Sequence, residues 1–500
     1  MRDYRFVLLI LIALVFLGAM AGLGRLPNID TDEAFYKAAG RELGMHGRFA
    51  APELTGYLGV RPPPEEVWLL YPPLYPLLFG GVVSVFGFGW RQCVLFDAVI
   101  KVALALLTYS LVRRLLPRET GRWPAFWAGL ATLLFARSVA GRPDELATAL
   151  GMAGLLPLVA VSAGMRLSLM TVSGALFGLC AGTSLAASIV LGLVALVLFI
   201  ATSGGSSHRV SAGMVWLAAA AAVFAVLVVP IVWNYPGAQR QYLQHAKAIF
   251  GNDTRTLWGQ IADLFRIGWR VTVPVFGFLA MGLTTAATAA GRGGLRRWAT
   301  IWLGPLAGAA FILFVDPHMY YYVWFLGPYA LAAILVSLSD PLLAPRPRSI
   351  GRAASIAVLA LLIAVGAIET VRQTVILAAV PQEQRPEFSA DRLRRVIPAG
   401  SVVLTYDAWW FLADRCRVYT PQISQPYWNS IDYVVLTRFD TLPPSLEAYV
   451  RKHFSQVYDY RNPSPRTLFG LRLSRTIRGF GMLVLARSDR PHPGSPLDGS

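Results

Sequence analysis

The sequence predicts an all-α polytopic membrane domain of about eleven transmembrane helices, followed by a small C-terminal α/β domain outside the membrane. Hydrophobic residues make up 55% of the 500-residue chain, and the mean hydropathy is +0.52, more than the polar surface of a soluble protein of this size allows. Apolar runs of about 18 residues or more, the length of a membrane-spanning helix, recur along the chain. Hydrophobicity falls after about residue 374, where short strand-like runs begin.

Twelve apolar runs are candidates for transmembrane helices. The first is too long for a signal peptide and many others follow it, so we expect it to be retained. The second is doubtful because Pro72, Pro73 and Pro76 crowd its start, and it could be a re-entrant or surface-lying helix. The runs are 6–24, 73–90, 94–112, 123–139, 145–165, 167–184, 186–202, 212–233, 271–290, 298–315, 319–338 and 353–371.

The distribution of arginine decides whether run 73–90 crosses the membrane. If it does not cross, eleven spans remain, the N-terminus is cytoplasmic, and twelve arginines fall in short cytoplasmic loops. If it crosses, most of these arginines fall outside. The positive-inside rule therefore favours eleven spans in a cell inner (plasma) membrane. The arginines are Arg113, Arg114, Arg118, Arg122, Arg166, Arg209, Arg292, Arg296, Arg297, Arg346, Arg348 and Arg352.

This topology also explains the net charge of +17. A soluble protein with this charge would suggest a nucleic-acid partner, but here the basic residues belong to the cytoplasmic loops, and we expect no nucleic acid. The three cysteines, Cys93, Cys180 and Cys416, show no metal-ligand spacing.

The chain divides into three predicted parts. Residues 1–373 form the transmembrane domain, with outer loops at 25–93 and 234–270. Residues 374–488 form an extracytoplasmic α/β domain, and residues 489–500 form a disordered tail. In the α/β domain, we expect strands at 401–408, 431–439 and 479–487, and helices at 389–397 and 445–454.

Two pairs of carboxylates lie on the predicted outer face. Asp32 and Glu33 follow the first span, and Asp144 and Glu145 begin the fourth span after a proline. Each pair could simply cap a helix; Asp32, for example, could cap a helix that runs through 34–43. Two acidic sites that meet across one cavity would instead suit general-base catalysis, with or without a cation.

Several basic or hydroxyl side chains on the same face could bind a phosphate. Lys101 lies one helical turn after Asp97, so these two side chains could also neutralise each other. His318 and Tyr320 could equally belong to an aromatic belt at the membrane interface. The full set of candidates is Arg142, Lys101, His318, Tyr320 and Arg270.

Three short motifs follow one another along the chain: D-E-A-x-Y at 32–36 after the first span, YPPLYP at 71–76, and G-R-P-D at 141–144. Their order resembles the C-type membrane glycosyltransferases, which have the GT-C fold. Within that class, it is most similar to the protein O-mannosyltransferases and the lipid A aminoarabinose transferases (glycosyltransferase families 39 and 83). The resemblance covers roughly 1–340.

The resemblance implies an enzyme that transfers a sugar from a polyprenyl-phosphate donor to a lipid, glycan or protein acceptor on the outer face. It implies that Asp32 is the general base, that Glu33 shapes the site, and that Asp144 positions substrate or other site residues. It specifies no cofactor: a divalent cation could be held by the carboxylates, because the class contains metal-dependent and metal-independent branches.

The sequence departs from both named relatives. Phe35 and Leu70 stand where the aminoarabinose transferases carry an arginine and a lysine, and YPPLYP replaces the Pro-Pro-Leu-Gly-Lys run of the O-mannosyltransferases. The donor sugar is therefore not specified.

The main alternative is a transporter or flippase of polyprenyl-linked lipids. Against it, the hydropathy pattern has no inverted repeat, and charged residues cluster at one face and not in mid-span. A non-catalytic assembly protein would not need acids in both outer loops, and ligases or polymerases lack the early D-E. The aromatics Trp409, Trp410, Tyr427 and Trp428 could stack on sugars, although packing of a small domain is the simpler explanation.

Overall fold

The computed structural model describes most of the chain between residues 31 and 489. The described residues are 31–117, 120–135, 143–160, 167–202, 206–250, 269–315, 323–344, 386–405, 408–436, 442–460, 467–468, 471–472 and 482–489, with isolated positions between 353 and 364. This part of the chain is mainly α-helical, with one small mixed sheet near its C-terminal end.

Twelve helices precede the C-terminal region within the described residues. Nine of them, α3 to α8 and α10 to α12 below, coincide with predicted spans. The predicted first span and most of the predicted last span, 6–24 and 353–371, lie outside the description. The helices are α1 Thr31–His46, α2 Leu74–Phe86, α3 Trp90–Leu115, α4 Arg122–Phe135, α5 Pro143–Ala160, α6 Leu167–Ala181, α7 Leu185–Thr202, α8 Ser206–Asn234, α9 Gln239–Phe250, α10 Trp269–Ala290, α11 Leu295–Val315 and α12 Val323–Ser339.

The outer surface of α8 has the character of a lipid-facing helix. Residues Val210–Asn234 are long and apolar enough to cross a membrane, as are Arg91–Leu115 of α3. None of the most apolar window of α8 is buried inside the protein, and Val226 and Trp233 are 73% and 81% exposed. An apolar helix that is exposed in this way would be unfavourable in water and is stable in lipid.

Small residues allow the helices to approach closely. On α6, a Cβ added to Gly178 would lie 2.5 Å from the carbonyl oxygen of Ala220 on α8. Polar side chains also link these helices: the indole of Trp216 donates to Ser173 Oγ at 2.9 Å, and Ser173 donates to the carbonyl of Gly154 at 2.7 Å. Such small-residue crossings and interhelical hydrogen bonds are typical of membrane helix packing.

The crossing of α1 and α2 is built in the same way and lies in residues 25–93, the segment predicted to be, and here called, the first outer loop. A Cβ on Gly40 would lie 2.6 Å from Pro76 O, and one on Gly44 would lie 2.6 Å from Gly80 O. Helix α2 has 13 residues, which corresponds to about 20 Å and is shorter than a membrane core of about 30 Å. Helices α4 and α6, which coincide with predicted spans, are about as short, so the non-crossing of run 73–90 stays a prediction.

The C-terminal region forms a five-stranded sheet in the order β2-β1-β3-β7-β4. Strands β1 and β2 are parallel, as are β1 and β3, whereas β7 runs antiparallel to both β3 and β4. The strands are β1 Val402–Leu404, β2 Arg417–Tyr419, β3 Tyr433–Leu436, β4 Phe454–Tyr460 and β7 Met482–Arg487, with a separate hairpin of β5 Thr467–Leu468 and β6 Leu471–Arg472. The helices are α13 Pro386–Val396, α14 Trp409–Leu412 and α15 Pro444–His453.

This α/β region shares a hydrophobic core with the first outer loop. Phe79, Val83 and Cys93 pack in one buried cluster with Trp409 and Leu412. Trp409 is fully buried, and its ring lies 5.3 Å from that of Phe88. Its role is therefore packing between the two regions and not stacking on a sugar.

Candidate functional site

Helix α1 carries the first pair of carboxylates. It begins at Thr31, so Asp32 and Glu33 lie in its first turn. The sequence analysis left open that Asp32 precedes and caps this helix; Asp32 instead lies within the helix. The side chains of Asp32 and Glu33 lie outside the described structure.

Helix α5 carries the second pair. It begins at Pro143, with Asp144 and Glu145 in its first turn, as predicted. Proline at the first helical position costs no hydrogen bond, and carboxylates favour the positive end of the helix dipole. Both side chains are buried, which is unusual for carboxylates at a membrane surface.

A buried cluster brings the two acidic segments together. Tyr36 of α1 packs with Leu146 of α5, together with Tyr75 and Ile100. Tyr36 lies one helical turn after Asp32 and on the same face of α1, and Leu146 directly follows Glu145. The N-terminal half of α1 and the start of α5 therefore lie close together in the fold.

The side of α1 that faces α3 contains a buried ion pair. Lys37 is fully buried, and its Nζ lies 2.6 Å from Asp97 Oδ2. The hydroxyl of Tyr75 donates to the other carboxylate oxygen at 2.9 Å, and Lys37 also donates to Cys93 O at 3.5 Å. Both oxygens of Asp97 are therefore satisfied.

One turn further along α3, Lys101 points to α5. Its Nζ lies 3.5 Å from Glu145 Oε1, with 15% and 10% of the two side chains exposed. This oxygen makes no hydrogen bond within the described structure. The predicted pairing of Asp97 with Lys101 is wrong, because each residue finds a partner on a different helix.

An aromatic cluster lies beside this site. The ring of Tyr71 lies 5.0 Å from both Tyr36 and His245, and Phe35 stacks on His245 at 5.5 Å. Tyr57 packs on Phe35 at 5.3 Å. We refer to Phe35, Tyr57, Tyr71 and His245 as the aromatic cluster.

His245 belongs to α9, in the segment predicted to be the second outer loop, and α9 is anchored to residues 62–69 of the predicted first outer loop. Gln241 accepts a hydrogen bond from Leu69 N at 2.7 Å and donates to the carbonyls of Pro62 and Val67 at 2.6 and 2.7 Å. Burial lowers the pKa of His245 to about 4. The imidazole is therefore neutral at physiological pH.

Helix α1 also carries a second buried ion pair, which faces the α/β domain. Arg41 NH1 lies 2.9 Å from Glu53 Oε1, and NH2 donates to the carbonyl of Ala413 beyond α14. The guanidinium lies 5.3 Å from the ring centre of Phe88. Burial raises the pKa of the Glu53 carboxyl, and the charge of Arg41 opposes this shift.

Within the described residues, no group of three His, Cys, Asp or Glu side chains lies close enough to hold a metal ion. The side chains of Asp32 and Glu33 fall outside that description. The other predicted phosphate ligands also fall outside it: Arg142, His318, Tyr320 and the side chain of Arg270.

Comparison with known proteins gives a sequence match over part of the chain and structural matches over nearly all of it. A family model described as dolichyl-phosphate-mannose-protein mannosyltransferase matches residues 71–233. The match begins at Tyr71 of the YPPLYP segment and ends near the end of α8, and it includes Asp144. Among the curated proteins, none matches the chain in sequence.

The crystal structure of ArnT from Cupriavidus metallidurans, bound to undecaprenyl phosphate, is similar over almost the whole length of both proteins. The identity is 15%, the TM-score is 0.59, and the match covers 97% of this chain and 98% of ArnT. The chain has the GT-C fold of the membrane glycosyltransferases. The sequence-based resemblance to this class is confirmed, and the GT-C fold agrees with the lipid-facing surface of α8 in placing the protein in a membrane.

A second solved structure shares this fold less completely. The oligosaccharyltransferase of Archaeoglobus fulgidus, tethered to an acceptor peptide, is 14% identical with a TM-score of 0.50. The match covers 92% of this chain and 73% of the archaeal protein.

The sequence did not reveal several residues that the GT-C fold brings to this site. Lys37, Tyr75 and His245 are isolated in sequence from the residues that they contact, and Arg41 pairs with Glu53 of the short 3-10 helix Pro52–Leu54. One signal was available in the sequence: Lys37 and Arg41 follow Glu33 at intervals of four residues, which places all three along one face of α1.

Proposed function

We propose that this protein is a glycosyltransferase that moves a sugar from a polyprenyl-phosphate donor to a hydroxyl group of a lipid, glycan or protein at the outer membrane face. The observation that carries the proposal is the meeting of α1, which bears Asp32 and Glu33, with the acidic start of α5 beside Lys101. Carboxylates and a cation at one membrane surface provide a base for the acceptor and a counter-charge for the leaving phosphate.

The similar proteins support a lipid-phosphate donor. ArnT was solved with undecaprenyl phosphate, and the matching family model is named for enzymes that use dolichyl-phosphate-mannose. Both carriers are polyprenyl phosphates. The sugar and the acceptor of this chain are left open by these names.

In the proposed reaction, the acceptor hydroxyl oxygen attacks the anomeric carbon of the donor sugar. Asp32 accepts the hydroxyl proton as the new carbon–oxygen bond forms. The bond between the anomeric carbon and the phosphate oxygen breaks, and polyprenyl phosphate leaves with the electron pair. A single displacement of this kind inverts the anomeric configuration.

We assign the remaining residues supporting roles. Glu33 shapes the site around Asp32, and Asp144 positions substrate or other site residues. Lys101 stabilises the charge that develops on the leaving phosphate, because an ammonium group held loosely by Glu145 can turn to a phosphate oxygen. Arg142, Arg270, His318 and Tyr320 are proposed as further contacts to the carrier.

The proposed topology follows from the function. A carrier that is used on the outer face requires the loops 25–93 and 234–270, and the α/β domain at 374–488, to lie outside the cytoplasm. The N-terminus is then cytoplasmic, and eleven helices cross the inner membrane. The transmembrane domain ends near residue 373, and 489–500 form a tail.

The proposal is tested by transfer from a panel of radiolabelled polyprenyl-phosphate sugars to cell-envelope fractions. We expect Asp32→Asn to lower transfer by about 10²- to 10⁴-fold, the usual contribution of a general base. Asp414→Asn is a matched control, because Asp414 forms an exposed ion pair with Arg394 in the α/β domain. Its activity should equal that of the wild type.

Each outcome of this assay has a distinct meaning. Equal activity of Asp32→Asn and wild type would exclude Asp32 as the base, and Asp144→Asn would then be compared. Absence of transfer from every donor, with transport of the lipid carrier, would favour a flippase. Addition of a chelator tests whether a divalent cation contributes.

A further inference from the structure

His245 has a buried ring nitrogen without a hydrogen-bond partner within the described structure. The residue is 4% exposed, and its Nδ1 lies 3.3 Å from the hydroxyl of Tyr57. The other nitrogen, Nε2, makes no hydrogen bond. A buried polar atom that is left unpaired is unfavourable, so such an atom in a native protein calls for a partner.

The chemistry of His245 restricts what that partner can be. The neutral imidazole has one donor and one acceptor nitrogen, and Tyr57 can satisfy Nδ1 in either role. Nε2 is then a donor or an acceptor, and a hydroxyl group suits both cases. A phosphate oxygen can only accept, so it would suit Nε2 in the donor tautomer alone, whereas a hydroxyl suits both tautomers.

The surroundings point to a sugar ring. The aromatic cluster places Phe35 and Tyr71 against the imidazole at 5.5 and 5.0 Å. Phe35 lies three residues after Asp32, which is about one turn along α1. A sugar has apolar C–H faces that pack on aromatic rings and hydroxyls that need placed polar groups, which is the usual composition of a small-molecule site.

We propose that His245 Nε2 hydrogen-bonds a hydroxyl of the sugar that is bound next to Asp32, in a subsite lined by Phe35, Tyr57 and Tyr71. The proposal rests on the proposed function and extends it, because it separates recognition of the sugar from recognition of the carrier phosphate. The second outer loop thereby contributes specificity, and its helix α9 is held in place for this purpose by Gln241.

The test compares His245→Phe with Tyr57→Phe in transfer and binding assays. His245→Phe keeps an aromatic ring and removes Nε2, whereas Tyr57→Phe keeps Nε2 and removes only the partner of Nδ1. We expect His245→Phe to raise the KM for the sugar-bearing substrate by roughly tenfold, the effect of one hydrogen bond. Tyr57→Phe should change it less.

The substrate that responds identifies the sugar. An increase in the donor KM places the donor sugar in the subsite, and an increase in the acceptor KM places an acceptor glycan there. His245→Gln, whose amide can reach the position of Nε2, should recover part of the loss. Unchanged KM values for both substrates in His245→Phe, with a lowered Tm, would overturn the proposal and indicate a partner within the protein.

A binding measurement keeps the inference separate from the proposed function. Polyprenyl-phosphate sugars and the bare carrier phosphate are titrated onto wild type, His245→Phe and Asp32→Asn in detergent. Weaker binding of a sugar-loaded carrier to His245→Phe, with unchanged binding of the bare carrier, supports the sugar subsite even without turnover. The sugar subsite would be rejected if no KM changed and His245→Phe bound both carriers equally more weakly, or bound both as tightly as the wild type. Failure of the proposed function would appear instead as absence of transfer in the wild type.

Discussion

Two ion pairs one helical turn apart on α3 have different geometries. Asp97 lies 2.6 Å from Lys37 and also accepts a hydrogen bond from Tyr75. Lys101 lies 3.5 Å from Glu145, whose Oε1 makes no hydrogen bond within the described structure. The first pair satisfies its charges within the protein, whereas the second leaves capacity for a further partner.

This difference separates structure from ligand binding. A buried charge is stable only if it is paired and hydrogen-bonded, and the pair of Lys37 and Asp97 meets that condition while it joins α1 to α3. The pair of Lys101 and Glu145 meets it incompletely. A site that binds and releases a charged carrier at each turnover needs an ion pair with unused hydrogen-bonding capacity. A cation whose contacts were all satisfied within the protein would have to lose some of them to bind phosphate.

The largest expected effect comes from breaking the tight pair. Lys37→Met leaves the Asp97 carboxylate buried without its cation, which we expect to cost about 3–5 kcal/mol of stability. Thermal unfolding of the purified protein in detergent measures this loss. The double variant Lys37→Met, Asp97→Asn should recover a large part, because no unpaired charge remains. A single variant as stable as the wild type would contradict a structural role for this pair.

An intermediate effect is expected from the loose pair, and on activity more than on stability. Lys101→Gln should lower kcat/KM by roughly 10- to 100-fold, which corresponds to the loss of one charged hydrogen bond to phosphate of about 1.5–3 kcal/mol. Its Tm should fall less than that of Lys37→Met. If Lys101→Gln instead unfolded as readily as Lys37→Met and retained full activity, the two pairs would be structurally equivalent.

The smallest effect is expected from His245, which is buried in its neutral form and belongs to neither ion pair. Its pKa is about 4 in the folded protein and 6.5 in the reference state, so between these pH values only the unfolded chain binds the proton. Burial of the neutral His245 therefore costs no proton-linked stability above pH 6.5. As the pH falls from 6.5 towards 4, the free energy of unfolding decreases, because the proton binds only to the unfolded chain.

The matched comparison is His245→Phe, which has no proton to bind. At about pH 5.5, we expect the wild type to have lost roughly 1 kcal/mol more of its neutral-pH stability than the variant. The Tm of both proteins between pH 7 and 5 measures this. Parallel curves would show that His245 is not protected from protonation.

The sequence predicted the helices of the membrane region well, since each apolar run long enough to span lipid forms a helix within the described residues. The strands β1, β3 and β7 were also predicted, because each lies in an apolar run. Strands β2, β4, β5 and β6 were not predicted. Arg417–Tyr419 is only three residues long, and its place in the sheet comes from pairing with β1. Strand β4, Phe454–Tyr460, directly follows the helix predicted at 445–454 and gains its place by pairing with β7.

The site was predicted in its acidic segments but not in its pairs. Asp144 and Glu145 begin a helix because a proline precedes them, which is local information. The pairing of Lys37 with Asp97 joins residues 60 positions apart, and no local pattern encodes it. The spacing of Asp97 and Lys101 suggested a pair within one helix, yet contacts with α1 and α5 outweighed that weak local preference.

The core shared by the first outer loop and the α/β domain limits how this protein can be recombined. Phe79, Val83 and Cys93 belong to one hydrophobic cluster with Trp409, and Arg41 binds the carbonyl of Ala413 from the same helix that carries Asp32. A graft at residue 373, the boundary predicted from the sequence, would divide this core. The smallest transferable module is therefore discontinuous in sequence: the α/β domain together with α1, α2 and the start of α3.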